Sequence, residues 1–271
     1  MSTSKVPELR WAKMPNRWAM AGELNAFGEL NDQGNVDLVA MNTSLAALKV
    51  YLAICSRANY QTGIAKTTYP ELSNLVGHSR NVIARSLQVL EDGGYIRRDT
   101  RTSRGGSLIY VERWLEDEGF AKIPKSWLYH GRGPKKDQST ENPETTLVKL
   151  KAFALNKRVS LQALKIYILL LAMRHRDFPK DDGLTVISYD KISDYTGVGR
   201  HSVSPAITLL MEMNLITFRS GDQGGYDGMD FDRTNRYLIK GLNVLYQGLS
   251  DAASTHVPAP RAPAQPEQSG Q

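Results

Sequence analysis

One stretch of this chain occurs twice. Ser44-Leu45-Ala46-Ala47-Leu48-Lys49-Val50-Tyr51 is echoed by Ser160-Leu161-Gln162-Ala163-Leu164-Lys165-Ile166-Tyr167. A repeat of this kind narrows the fold to two copies of one small unit, because each copy must bury the same apolar stripe. The echo continues downstream. After a four-residue insertion, Tyr69, Ser73, Gly77, Arg80, Leu90 and Ile96 match Tyr189, Ser193, Gly197, Arg200, Leu210 and Ile216 without gaps. Ile83 and Leu87 are replaced only by Val203 and Ile207. A length of 271 residues suits two small domains better than one large one.

In the first copy, Leu45, Leu48, Tyr51 and Leu52 recur at helical spacing, continued by Ile54 and Cys55. They predict a helix from near Thr43, with Tyr51 and Cys55 in the core. Tyr60 to Gly63 ends it. Thr68-Tyr69-Pro70-Glu71 opens a second helix. Thr68 is an N-cap type, Pro70 loses no hydrogen bond in the first turn, and Glu71 suits the positive end of the helix dipole. Gly77 breaks the chain, because two helices meeting at a steep angle need a turn that glycine makes without a Cβ clash. Ser79 then caps a third helix that buries Ile83, Leu87 and Leu90 and stops at Gly93-Gly94. Two strand-like runs, Tyr95 to Thr100 and Leu108 to Val111, flank a polar loop. Three helices and then two strands is the order of a winged helix.

The third helix leaves one face free. In the first copy that face carries Ser79, Arg80, Asn81, Ala84, Arg85 and Gln88; in the second, Arg200, His201, Ser202 and Ser204. Arginine pairs bidentately with guanine and asparagine with adenine, so these are base-reading types. The first wing adds Arg97, Arg98, Arg101 and Arg104 against Asp99, a set suited to phosphates, which position a protein without reading sequence. The second wing, Arg219 to Arg236, contains Asp222, Asp227, Asp230 and Asp232, which repel a phosphate backbone. Pro205 within the second recognition helix removes a backbone hydrogen bond and predicts a kink, and Gly199 stands where a polar cap is usual. The first unit is therefore expected to bind DNA more tightly.

Gly77-His78-Ser79-Arg80 through Leu87 and Leu90 to Gly94-Tyr95-Ile96 resembles the recognition segment of winged helix-turn-helix proteins. Thr234-Asn235-Arg236-Tyr237-Leu238 resembles the strand that closes the wing in plasmid and phage replication proteins of that superfamily. Two such units without a sensor or enzyme domain are similar to tandem winged-helix plasmid initiators. The resemblance implies an α+β, mainly α, fold of two tandem winged-helix domains, each with three helices and a β-hairpin wing. The expected divisions are a leader (1–40), a first domain (41–115), a linker (116–146), a second domain (147–246) and a disordered tail (247–271). In the leader, Arg10, Lys13 and Arg17 interleave with Trp11 and Trp18. A basic-aromatic arm suits a minor groove, but rings covering an apolar edge are the expected role.

Charge placement agrees. The chain carries a net +6, of which residues 41–113 hold +5 and residues 147–245 hold +4, so the excess lies in the repeated units and favours a polyanionic partner. No apolar run approaches the length of a membrane span, no signal-peptide pattern is visible, and a lone cysteine allows no intrachain disulfide; a reducing cytoplasm is expected. Catalysis is not expected. The five histidines show no metal-ligand spacing with Cys55, Gly131-Arg132-Gly133-Pro134-Lys135-Lys136 lacks phosphate-loop spacing, and His175-Arg176-Asp177 lacks the other kinase elements. No cofactor or metal is expected. The reading is a sequence-specific protein of double-stranded DNA that initiates replication of a plasmid or mobile element. Host replication proteins and self-association are further candidate partners. A transcriptional regulator and a protein-interaction module stay open as alternatives.

Overall fold

The computed structural model describes residues 11–31, 33–99, 106–115, 119–125, 128, 147–174, 183–219 and 235–242. Arg101, Arg104, the four aspartates of the second wing, His175-Arg176-Asp177 and the tail 247–271 lie outside those residues.

From Trp11 onward, the described part of the segment expected to be a leader is built into the fold. Strand β1 (Ala12–Pro15), the single-turn helix α1 (Arg17–Met20) and a 3₁₀ turn (Glu23–Ala26) come first. β1 pairs antiparallel with β5 (Phe120–Ile123), from the expected linker, with Lys13 opposite Lys122. Trp18 is buried, its ring centroid 5.3 Å from Tyr51, 5.1 Å from Tyr95 and 6.2 Å from Phe27. Its indole N–H donates to the Pro15 carbonyl at 3.0 Å. Trp11 stacks on Phe120 with centroids 5.5 Å apart. Trp11, half-buried, covers an apolar edge as expected, whereas Trp18 lies inside the core.

Helix α2 (Leu38–Arg57) starts five residues before the expected Thr43. A carboxylate oxygen of Asp37 caps it, accepting from the N–H groups of Val39 at 2.8 Å and Ala40 at 3.1 Å. Leu38 and Val39 are exposed, so the stripe that betrays the rest of the helix is missing from its first turn. The sequence also hid its overall character. By length and composition alone α2 is apolar enough to cross a membrane, although Asn42, Thr43, Ser44 and Lys49 interrupt its apolar runs. Most of it is buried in protein instead, in contact with α3 (Tyr69–Val76) and α4 (Arg80–Asp92). Tyr51 and Cys55 lie in the core as expected.

A strand the sequence did not announce follows α2. β2 (Ile64–Thr67) pairs with β4 (Ser107–Val111), which pairs with β3 (Ile96–Asp99), so the wing strands belong to a three-stranded antiparallel sheet rather than a lone hairpin. Ile64-Ala65-Lys66-Thr67 shows no regular alternation of apolar and polar residues that would announce it. The extra strand matters because an isolated two-stranded hairpin is marginal in water.

The second half repeats this order. After the single-turn helix α5 (Val148–Lys151) come α6 (Arg158–Ala172), β6 (Leu184–Ile187), α7 (Tyr189–Thr196), α8 (Arg200–Glu212), β7 (Ile216–Arg219) and β8 (Asn235–Ile239). The sheet order β6-β8-β7 copies β2-β4-β3, and the register copies it too: Ile64 faces Tyr110 as Leu184 faces Leu238, and Ile96 faces Val111 as Ile216 faces Ile239. Where Gly94 turns with φ 71°, Asn214 does so with φ 54°, asparagine being among the few other residues that tolerate that region. α8 runs as one helix through Pro205, the position at which the sequence predicts a kink. Pro205 stands in the second turn on the exposed side, where the lost N–H costs no core hydrogen bond.

The two halves share one core. Buried residues of α2 and α6 belong to a single apolar cluster, and the two helices pack on each other. The lead-in to each half lies on the other. Leu147 N–H donates to the Leu75 carbonyl at 2.9 Å, at the end of α3. Asn25 Nδ2 donates to the Asp194 carbonyl at 3.3 Å, at the end of α7. Near the starts of α2 and α6, Asn156 N–H donates to Asn42 Oδ1 at 2.7 Å, and the two side chains bond at 2.6 Å.

Candidate nucleic-acid interface

The turn between α3 and α4 is built from residues that each have a local reason. Thr68 Oγ1 accepts from Glu71 N–H at 3.3 Å while Glu71 Oε2 accepts from Thr68 N–H at 2.7 Å, a reciprocal cap. The Thr68 N–H, helped by the Thr67 and Thr68 hydroxyls, holds the Glu71 carboxyl below its ordinary value. Gly77 ends α3 at φ 72°, ψ 34°, its N–H bonded to the Ser73 carbonyl at 2.8 Å. Gly197 ends α7 in the same region at φ 65°. His78 enters the turn with Nε2 buried, and burial, with the Lys49 charge nearby, lowers it to about 4, so it is neutral at physiological pH. Ser79 occupies the N-cap of α4, but its side chain makes no capping hydrogen bond.

α4 then divides cleanly. Ile83, Leu87 and Leu90 are buried; Ser79, Arg80, Asn81, Arg85 and Gln88 are exposed. The Arg80 guanidinium lies over the Tyr69 ring, 5.4 Å from its centroid, which orients the side chain without an opposing charge. Gln88 is less available, since its amide N–H donates to Asp92 Oδ1 at 2.7 Å and its oxygen accepts from Arg98 at 3.0 Å.

The two described wing arginines differ. Arg97 is largely exposed, stacks over Tyr110 at 4.2 Å and meets Glu112 at 3.4 Å. Arg98 is mostly buried and clamped. Its Nε donates to Glu91 Oε2 at 2.8 Å, its Nη2 also meets that carboxylate, and its backbone N–H donates to Glu91 Oε1 at 2.9 Å. The Arg98 guanidinium holds the Glu91 carboxyl below its ordinary value. Sequence reasoning grouped Arg97 and Arg98 because they are adjacent, whereas strand alternation sends them to opposite faces. Arg101 and Arg104 lie outside the described residues.

On α8, Arg200, His201 and Ser204 are exposed and Ser202 is half-buried. Arg200 meets Asp190 in an exposed ion pair, a partner that the first half lacks because Pro70 holds the matching position. Such a pair is worth little and yields easily to a competing anion. Among the described residues, no group of three or more His, Cys, Asp or Glu side chains is placed to hold a metal ion.

Residues 44–96, from within α2 to the first residue of β3, match a family model described as a helix-turn-helix domain. That stretch is a helix-turn-helix domain, which suggests DNA binding. Neither the curated proteins nor the solved structures contain a match to the chain.

Proposed function

We propose that this chain is a sequence-specific, non-catalytic protein of double-stranded DNA in which both halves act as winged helices, and that it initiates replication of a plasmid or related mobile element. The observation that carries the DNA reading is the exposed row Arg80, Asn81 and Arg85 on α4, directly beyond a left-handed glycine turn. The Arg80 fork suits guanine O6 and N7, and the Asn81 amide suits adenine N6 and N7. Arg97, and Arg101 and Arg104 by sequence, supply phosphate contacts. The initiator role rests on the resemblance of the paired units to plasmid initiators and on the basic charge confined to them. Host replication proteins would be recruited to the marked origin in the cytoplasm.

Footprinting on the DNA flanking the gene, at stated salt, tests the DNA reading, with protection expected and lost on Arg80→Ala plus Arg85→Ala. A replication assay on the protected fragment tests the finer role. Replication dependent on the protein is expected. Protection over a promoter on a fragment that never replicates would assign the chain to transcription control instead.

A further inference from the structure

We infer that Pro205 and Thr208 form an apolar step on α8 that reads the methyl group of thymine; this rests on the DNA reading proposed above and deepens it by naming what the second unit recognises. Proline inside a helix removes the hydrogen bond to the carbonyl four residues before it, here that of His201, and is the least favourable residue for such a place. α8 nevertheless runs from Arg200 to Glu212 through Pro205. Pro205 is exposed, so its ring does not repay that loss by filling the core. A residue that weakens its own helix and serves no core has its use in the surface it shapes.

That surface has lost its hydrogen-bond donors at matching places. α8 carries Pro205 where α4 carries Arg85, and Thr208 where α4 carries Gln88. All of these side chains are exposed. Residues three apart on a helix are neighbours, so Pro205 and Thr208 adjoin. The Thr208 hydroxyl donates to the Ser204 carbonyl at 3.1 Å, which leaves its methyl group for outside contacts. The His201 ring sits against Gly199, where a Cβ would come within 3.0 Å of it. The ring therefore lies toward the start of α8, and Pro205 with Thr208 holds the next turn.

In the major groove thymine alone presents a methyl group, and an apolar side chain recognises it by taking that methyl out of water. A guanine or cytosine in its place would set a polar edge against the proline ring and leave that edge without a partner. The step thus favours thymine both by what it covers and by what it fails to satisfy. Arg200, which matches Arg80, stands one turn before it and suits guanine. α8 therefore offers one polar reader followed by an apolar one, whereas α4 offers Arg80, Asn81 and Arg85, polar throughout.

The test begins with duplexes selected from a random library by the full chain. Each thymine of the selected site is then replaced singly by deoxyuridine, which removes only the methyl group. Affinity should fall about fourfold per contacted thymine, the worth of one buried methyl group. Pro205→Ser plus Thr208→Ser should bind the thymine and deoxyuridine duplexes alike, with the affinity that the parent has for the deoxyuridine duplex. The helix tolerates this pair of changes, because serine restores the N–H that proline lacks and keeps the hydroxyl that bonds to the Ser204 carbonyl. Arg80→Ala, an exposed change in the other unit, should leave the thymine effect in place. Indifference of the parent to every deoxyuridine, a thymine effect that survives the double serine variant, or one that vanishes with Arg80→Ala would overturn the inference while leaving DNA binding in place. No enrichment of any sequence would overturn the DNA reading itself, and the inference with it.

Discussion

Lys49 and Lys165 stand at the same position of the two repeated helices, and each reaches across the molecule to a backbone carbonyl of the other half, at 3.3 Å and 3.2 Å. Both are buried, and in both burial is the main cause that lowers the ammonium to about 8 from 10.5. Lys151 adds to the lowering at Lys49, while Glu29 opposes it at Lys165.

These lysines give stability a defined pH dependence. Between about pH 8 and pH 10.5 the unfolded chain binds more protons than the folded one, so stability rises with pH there; below about 8 both states are charged and the burial penalty is fully present. Burial pushes the Cys55 thiol and the Tyr51 and Tyr167 hydroxyls up, so at higher pH the unfolded chain releases protons that the folded chain keeps. Stability should therefore peak near about pH 9. Urea midpoints from pH 7 to 10 check this, and Lys49→Met plus Lys165→Met should flatten the rising limb.

The shared core predicts one unfolding transition. Far-ultraviolet and tryptophan signals should change together on heating, since Trp18 packs against Tyr51 within the same cluster that holds α6. Trp18→Ala should cost about 3–5 kcal/mol and lower the single midpoint. Two separated transitions would show that each half folds on its own.

Arg97 and Arg98, neighbours in sequence, should behave differently. Arg98→Ala removes the clamp on Glu91 and should lower stability by about 1 kcal/mol, with the salt dependence of DNA binding unchanged. Arg97→Ala should leave the melting temperature in place and reduce the salt slope by about 1. Paired melting and salt-titrated binding measurements distinguish the two.

The turn glycines should resist substitution unequally. Alanine in the left-handed region costs about 1–2 kcal/mol at either site. At Gly77 the nearest atoms belong to the flexible Lys151 side chain, whereas at Gly197 the Asn25 amide oxygen occupies the space that the new Cβ would need. Gly197→Ala should therefore be the more damaging in denaturant titrations, and Asn25→Ala should recover part of its loss.

Much of the local structure was legible in the sequence. Thr68 with Glu71, the glycine turns and the stripe Ile83, Leu87, Leu90 each act over a few residues, so composition and spacing were enough to place α3 and α4 and to name the exposed face of α4. β2 was not legible, because Ile64-Ala65-Lys66-Thr67 has no regular alternation of apolar and polar residues and is defined by the partner it pairs with. Nor was the separation of Arg98 from Arg97, which depends on Glu91 lying beneath the strand.

The repeat by itself determined that two units of one design are present, with Lys49 and Lys165 as matching residues. It did not determine that these lysines are buried, or that each half leans its lead-in segment on the other. Those relations join residues more than 100 positions apart, and only packing the apolar faces of α2 and α6 against each other brings them together. Local chemistry fixed what each half is, and the burial of a common interface decided how the halves pack on one another.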